Sequence, residues 1–136
     1  MQISFPFEVQ QTGILGTIRR PVADVGFWSE TLNDWVPVKM IVDTGADYTL
    51  LPLWLYSKLG VDVKKDCNRF FTSGVGGKQL VFVLKELWKV KLGDWESNIR
   101  LGFLNDSFVP PLLGRLHCIE RIKVCFENFK TVFTLA

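Results

Sequence analysis

The chain is organised around one stretch, MIVDTGADYTLLP, at residues 40–52. Met40 to Val42 are apolar and suit a buried strand, and a small, acidic, hydroxyl-bearing segment follows them directly. We predict that Gly45 lets the backbone turn sharply, which leaves the Asp43 carboxylate at the mouth of an apolar wall. A carboxylate in such a place is costly unless something uses it. The alternative is a strand that ends in an ordinary Asp-x-Gly turn, because Asp and Gly dominate turns.

The longer string favours a functional site. Asp43-Thr44-Gly45-Ala46-Asp47, the Thr at position 49 and Leu50-Leu51-Pro52 together resemble the active-site signature of the retropepsin-like aspartic proteases. Two more segments resemble that family, in the order in which the family has them. Gly74-Val75-Gly76-Gly77 is similar to the glycine-rich tip of the flap hairpin that closes over substrate. Leu112-Leu113-Gly114-Arg115 is similar to the second signature, which opens a short C-terminal helix.

The composition fits one compact domain, which we assign to residues 1–136. Apolar residues make up 48% of the chain and the net charge is +2, with the basic residues scattered rather than gathered in a stripe. This pattern points away from nucleic acid and from an anionic membrane as partners. No apolar run reaches the ~18 residues that a spanning helix needs. The first residues also lack the basic start and apolar core of a secretory signal.

The cysteines suggest neither a disulfide framework nor a metal site. Cys67, Cys118 and Cys125 are odd in number and have no Cys-x-x-Cys spacing, and the one histidine, His117, is adjacent to Cys118. We therefore expect no zinc site and a reducing compartment, which predicts a cytoplasmic protein. The resemblance to the aspartic proteases implies that the protein uses no metal and no organic cofactor. No nucleophile-elbow motif accompanies His117, so a Ser/His or Cys/His catalytic pair has no support.

Short strand-forming segments recur along the chain, without the alternation of strands and helices that a parallel sheet needs. Strands are predicted at 2–10, at 17–26 on either side of a proline, and at 35–42, 67–72, 79–84, 85–92, 99–104, 112–113, 122–126 and 130–135, with a loop at 27–34. Short helices are predicted at 52–59, where Gly60 follows the last turn, and at 115–120. Together these elements predict an all-β fold, a closed barrel-like domain with one or two short helices.

The glycine-rich segment Gly74 to Gly77 lies between two of the predicted strands. A plain hairpin turn is the commonest use of such glycines, so this alternative to a flap stays open. A phosphate-binding loop is disfavoured, because a strand rather than a helix follows and Lys78 is not part of a Gly-Lys-Ser/Thr motif.

The resemblance implies a role for each residue of the first signature. Asp43 would be the catalytic carboxylate, and Thr44 would brace the two active-site loops across a dimer. Gly45 would allow close approach to substrate, and Ala46 belongs to the same supporting turn.

The resemblance also implies roles for the other matching residues. Asp47 and Arg115 would form the pair that ties the active-site turn to the C-terminal helix, with Gly114 beside them. Such a pair has a physical basis, because a partly buried carboxylate needs a charged partner and Arg presents a two-pronged donor. The alternative is that both side chains are merely solvated. The substrate-binding flap would comprise Ser73, Gly74, Val75, Gly76 and Gly77.

Aspartic proteolysis needs two carboxylates that share one proton, so that one activates a water while the other donates to the scissile carbonyl oxygen. The chain has one Asp-Thr-Gly and no Asp-Ser-Gly, so the second carboxylate would come from another copy through a two-fold axis. The resemblance therefore implies a homodimeric aspartic endopeptidase acting on peptides or proteins. The alternative is a catalytically weak retropepsin-fold module for dimerisation or peptide binding.

The chain departs from the viral members of this family in two places. The spacing from Asp43 to the flap glycines is longer, and so is the segment that precedes Asp43. The way in which the termini contribute to a dimer therefore does not transfer from those enzymes.

Overall fold

Strands make up most of the protein, in a computed structural model that describes residues 1–74, 77–105 and 109–135. The strands are β1 Gln2–Pro6, β2 Glu8–Thr12, β3 Gly16–Arg20, β4 Val22–Ser29, β5 Asp34–Val42, β6 Thr49–Pro52, β7 Cys67–Gly74, β8 Gly77–Leu84, β9 Trp88–Leu92, β10 Trp95–Ile99, β11 Leu101–Leu104, β12 Leu112–Leu113, β13 Lys123–Glu127 and β14 Lys130–Thr134. The helices are α1 Tyr56–Leu59, α2 Val63–Asp66 and the 3₁₀ helices Leu53–Leu55 and Ile119–Arg121. No helix in the described ranges is long and apolar enough to cross a membrane.

Nine strands form one sheet in the order β10-β9-β4-β5-β12-β6-β11-β8-β7. The short strand β12 lies at its centre, parallel to β5 on one side and antiparallel to β6 on the other. The all-β prediction is confirmed, and so are the short helix that ends at Gly60 and the hairpin of β7 and β8. Hydrogen bonds do not close the barrel into a ring, because no pair among the described strands joins β10 to β7.

The core follows from the alternation of side chains along the central strands. On β4 the side chains of Val25 and Phe27 are buried while Asp24 is exposed, and on β5 Met40 and Val42 are buried. These residues belong to one apolar cluster that extends across the sheet to β11 and β12. Full burial of a side chain as large as Phe27 contributes roughly 1.5–3 kcal/mol. This cluster fixes the register of β5, and therefore the place where Asp43 leaves the sheet.

The predicted loop at 27–34 is wrong for its first three residues, which continue β4, and for Asp34, which begins β5. Trp28 pairs with Trp35 across the hairpin, and their rings meet edge to face with centroids 5.4 Å apart. The Ser29 hydroxyl donates to the Lys58 carbonyl at 2.6 Å, which ties this end of the hairpin to α1. Tertiary contacts of this kind override the turn preference of the local sequence.

The helix predicted at 115–120 is also wrong. This segment is a turn followed by the 3₁₀ helix Ile119–Arg121, and His117 lies in the left-handed region at φ 61°. The His117 N–H donates to the Glu120 carboxylate at 3.1 Å, just before the 3₁₀ helix begins at Ile119. A residue in the left-handed conformation cannot continue a right-handed α-helix, so no α-helix forms over residues 115–120.

Helix α2 was missed, although its cap is visible in the sequence. The Asp62 carboxylate accepts the N–H groups of Lys64 and Lys65 at 3.1 and 3.3 Å. An Asp before a short run with helix formers is an N-cap signal, so this element could have been predicted. Smaller shifts affect the predicted strand at 85–92, which begins at Trp88, and the one at 99–104, which divides into β10 and β11.

Candidate active site

Asp43 is the first residue after β5, and the centre of the sheet holds it in place. Its N–H donates to the carbonyl of Leu113 on β12 at 3.0 Å, so the first and third sequence motifs are hydrogen-bonded neighbours. On the other side, the Val42 N–H donates to the carbonyl of Pro21 at 2.9 Å. The Asp43 side chain is half-buried. The backbone of this residue is therefore fixed from both flanks while its carboxylate keeps contact with solvent.

The turn after Asp43 orients its carboxylate. The Gly45 N–H donates to Asp43 Oδ1 at 3.0 Å, and the Ala46 N–H donates to the Asp43 carbonyl at 3.2 Å. Gly45 does not adopt a positive φ, and a Cβ built on it would lie an ordinary 3.4 Å from Asp43 Oδ1. We predicted that the backbone turn would depend on glycine at position 45, but the backbone there adopts a conformation that other residues can also adopt. Gly45 contributes its N–H, and its missing side chain leaves the carboxylate uncovered.

Gly114 is the residue at which the fold requires glycine. Its N–H donates to the buried hydroxyl of Thr49 at 3.1 Å, which joins the end of β12 to the start of β6. A Cβ built on Gly114 would lie 2.9 Å from Tyr48 Cα and closer still to the carbonyl group of that residue. The two signature segments therefore approach each other so tightly that any side chain at this position would displace the backbone.

The predicted pair of Asp47 and Arg115 is formed. Arg115 Nη2 donates to Asp47 Oδ1, and Arg115 Nε donates to the Ala46 carbonyl at 3.3 Å. Backbone bonds reinforce the connection, because the N–H groups of Arg115 and Leu116 donate to the carbonyls of Ala46 and Asp47 at 3.0 and 2.8 Å. The side chains of Asp47 and Arg115 are 75% and 46% exposed, so the expectation of a partly buried charge is corrected. Exposed pairs of this kind contribute about 1 kcal/mol or less.

Tyr48 joins the active-site turn to the β7–β8 hairpin, a connection that no sequence pattern indicated. Its ring lies 6.2 Å from that of Phe70 on β7, measured between centroids. Burial raises the pKa of the Tyr48 hydroxyl, and the neighbouring Asp47 carboxylate raises it further. The signature assigns no role to position 48, so nothing in the sequence predicted that Tyr48 would contact the hairpin.

The remaining predicted site residues are placed in part. Ser73 and Gly74 end β7, where they pair with Lys78 and Gly77 of β8. Val75 and Gly76, which the sequence assigned to the flap tip, lie outside the described residues. The Thr44 side chain is exposed and has no hydrogen-bond partner among the described residues, so its role as a brace stays a prediction. Nor do the described residues hold a cluster of His, Cys, Asp or Glu that could bind a metal ion.

Two cavities of the described structure lie away from Asp43. One of about 690 Å³ lies between the α1–α2 region and the β7–β8 hairpin, and it is lined by Tyr56, Cys67 and Phe82 among others. Another of about 340 Å³ lies beside Glu30 and Trp88. We place the candidate site at Asp43 nevertheless, because the residues of the two signatures and their hydrogen bonds converge there. Neither cavity is lined by a residue of those signatures.

Comparisons with known proteins identify the family and the fold. A family model described as "gag-polyprotein putative aspartyl protease" matches residues 30–116, which is more than half of the chain. The structure of a retropepsin-like aspartic protease from Rickettsia conorii matches with a TM-score of 0.65 at 21% identity, covering 97% of this chain and 98% of that one. EIAV protease complexed with the inhibitor HBY-793 matches with a TM-score of 0.51 at 23% identity, covering 78% and 88%. A search of curated proteins found no match.

At these identities the two structures show that the fold is shared. The family match includes both signatures, from the turn at Asp43 to the Gly114-Arg115 pair. The chain therefore belongs to the retropepsin-like aspartyl protease family.

Proposed function

We propose that this protein is a homodimeric aspartic endopeptidase in which each subunit contributes one Asp43. The observation that carries the proposal is the setting of Asp43, a half-buried carboxylate at a strand end whose backbone is held by Leu113 and whose Oδ1 accepts the Gly45 N–H. A carboxylate oriented in this way can act on a water molecule. One carboxylate alone cannot supply both the base and the acid that peptide hydrolysis needs.

The reaction follows from a pair of carboxylates that holds one proton between them. The ionised Asp43 accepts a proton from a water molecule, whose oxygen attacks the carbonyl carbon of the peptide. The protonated Asp43 of the other copy donates its proton to the carbonyl oxygen, and a tetrahedral diol forms. Transfer of a proton to the amide nitrogen then breaks the C–N bond, which yields an acid and an amine. Because the reaction needs one base and one acid, we expect a bell-shaped dependence of the rate on pH.

The substrate class that fits this site is an extended peptide segment. The β7–β8 hairpin, whose described part includes the proposed flap residues Ser73, Gly74 and Gly77, is linked to the active-site turn through the contact of Tyr48 with Phe70. Phe70, which makes this contact, is itself 39% exposed and offers an apolar surface beside the turn. We propose that this hairpin covers the bound peptide, because a covered site excludes water from competing hydrogen bonds.

A two-fold axis beside Asp43 accounts for two features of the single chain. The exposed Thr44 hydroxyl would find its partner in the second active-site loop, and the open side of Asp43 would be covered by the second copy.

The test compares Asp43→Asn with the matched variant Asp34→Asn, which changes a carboxylate at the opposite end of β5. We expect Asp43→Asn to keep the fold and the dimer and to lower cleavage of a mixed peptide library by at least about 1,000-fold. Asp34→Asn should cleave like the wild type, because its exposed side chain accepts the N–H of the next residue and makes no other hydrogen bond within the described part of the chain. Equal cleavage by the wild type and Asp43→Asn would refute the assignment. A wild type that dimerises and cleaves nothing between pH 3 and 7 would favour the peptide-binding module.

A mixing experiment tests whether the two copies share one site. Wild type and Asp43→Asn are combined in equal amounts, unfolded and refolded together, and the activity is compared with that of wild type at the same total concentration. Random pairing leaves about a quarter of the activity if both Asp43 carboxylates are required. An activity of about a half would mean that each copy works alone.

A further inference from the structure

The hairpin of β2 and β3 stands apart from the rest of the fold. Its two strands pair from Glu8 with Arg20 to Thr12 with Gly16, and they form a sheet of their own. No other described strand pairs with either of them. An isolated two-stranded hairpin is at best marginally stable in water, so this hairpin needs further contacts to stay ordered.

The tip of this hairpin is ordered by its own polar side chains and presents apolar ones. The Thr12 hydroxyl donates to the Gly16 carbonyl and accepts the Leu15 N–H, both at 2.9 Å. Ile14 and Leu15, held between these bonds, are 96% and 71% exposed. An apolar pair that is fixed in place before contact loses little conformational entropy when it is buried against a partner.

The sequence of the hairpin is also suited to burial. Residues 9–18 read VQQTGILGTI and carry no charged side chain, in a chain of which 22% is charged. Val9, on the strand that leads to the tip, is exposed as well. Burying this segment against another surface would therefore remove apolar area from water without burying an unpaired charge.

The base of the hairpin lies next to the active-site turn. Pro21, the residue after β3, accepts the N–H of Val42, the residue before Asp43, at 2.9 Å. The base is anchored further by Glu8, whose carboxylate lies 4.0 Å from Lys39 Nζ, and by the Arg19 guanidinium, which lies 4.6 Å from the ring centre of Phe129. Strands of five residues extend about 17 Å from this base.

We propose that the β2–β3 hairpin is a dimerisation arm whose tip, Ile14 and Leu15, packs on the second copy of this chain. The inference rests on the proposed function, because two Asp43 carboxylates that share a proton place the two-fold axis beside the base of the arm. The second copy is the surface that must lie there in every active molecule, and the axis supplies two such contacts per dimer. A peptide substrate would bind at Asp43 itself rather than at the far end of the hairpin.

The test is a double variant, Ile14→Ser with Leu15→Ser, studied in the full chain by sedimentation over a concentration series. Both side chains are exposed in one copy, so the circular dichroism spectrum should match that of the wild type. The urea midpoints should also match when they are measured at concentrations where both proteins are monomeric, because dimerisation itself stabilises the folded chain. The dissociation constant of the dimer should rise by about 100-fold or more. The matched control is Leu32→Ser, an exposed leucine in the turn at the opposite end of β5, which lies about 30 Å from Asp43 along the strand. This control should keep the dissociation constant within about threefold.

A second measurement uses a photoreactive amino acid at position 14 of the otherwise unchanged chain. Irradiation of the dimer should yield a covalent dimer, and the same residue at position 32 should not. A wild type that dimerises, combined with an unchanged dissociation constant for the double variant or with crosslinks confined to one chain, overturns the arm and leaves the protease proposal standing. A wild type that stays monomeric at concentrations where it cleaves peptides overturns the protease proposal as stated, and the arm with it.

Discussion

Gly114→Ala is the substitution from which the structure predicts the largest loss of stability near the site. The added Cβ would lie 2.9 Å from Tyr48 Cα and nearer to the Tyr48 carbonyl, and these are backbone atoms that cannot rotate away. Overpacking of a tight contact costs about 3 kcal/mol at the upper end of its usual range. Displacement of the backbone would also break the bond from the Gly114 N–H to Thr49 Oγ1, which adds about 1 kcal/mol. We therefore expect a loss of about 4 kcal/mol.

Urea unfolding measures this loss, with the midpoint and the slope fitted separately because a changed slope would indicate a changed denatured state. The matched control is Gly13→Ala in the exposed tip of the β2–β3 hairpin, where an added Cβ meets no atom within 4 Å and φ is not positive. That variant should stay within about 0.5 kcal/mol of the wild type. A Gly114→Ala protein within about 1 kcal/mol of the wild type would refute the close approach of the two signature segments.

Three further outcomes are expected. Thr49→Val should lose about 2 kcal/mol in urea unfolding, because it leaves the buried Gly114 N–H without an acceptor, and Thr49→Ser should recover most of that loss. A double-mutant cycle of Asp47→Ala and Arg115→Ala should give a coupling below about 1 kcal/mol, since both side chains are largely exposed, and a coupling of 3 kcal/mol or more would contradict this. Burial raises the pKa of the Cys118 thiol from 9.0 to about 12, so the thiol ionises at a lower pH in the unfolded chain than in the folded one. The free energy of unfolding should therefore be unaffected by this thiol below about pH 9 and should decline as the pH rises towards 12. In Cys118→Ala the decline, measured by urea unfolding over this pH range, should be less steep.

Much of the local structure was predictable from short-range rules. Gly60 ends α1 in the left-handed conformation at φ 81°, as its position after the helix predicted. The hairpins about Gly93 and Asn128 follow from turn residues between alternating segments. Such features depend on a few neighbouring residues, so they form independently of how the rest of the chain packs. The same rules failed at His117, whose left-handed φ of 61° interrupts the predicted helix.

The candidate site was predictable in its residues and not in its energetics. The pairing of Asp47 with Arg115 followed from a family resemblance, and the structure forms it, yet the exposure of both side chains removes the penalty expected for a buried charge. Exposure depends on what the rest of the chain covers, and no local pattern reports it. The contact of Tyr48 with Phe70 was not predictable for the same reason, since it joins the active-site turn to strand β7, and the order of strands in the sheet brings the two together.

The sequence by itself determined the all-β character, the positions of the signature segments and the identity of the single Asp-Thr-Gly, because alternation and motifs are properties of neighbouring residues. Only the tertiary structure decided that β12 lies between β5 and β6, so that Leu113 holds the backbone of Asp43 and Gly114 meets Tyr48. It also decided that the β2–β3 hairpin stands free with Ile14 and Leu15 uncovered. The physical reason is that pairing between distant strands and the covering of side chains are set by competition among all the surfaces of the chain, which no short segment contains.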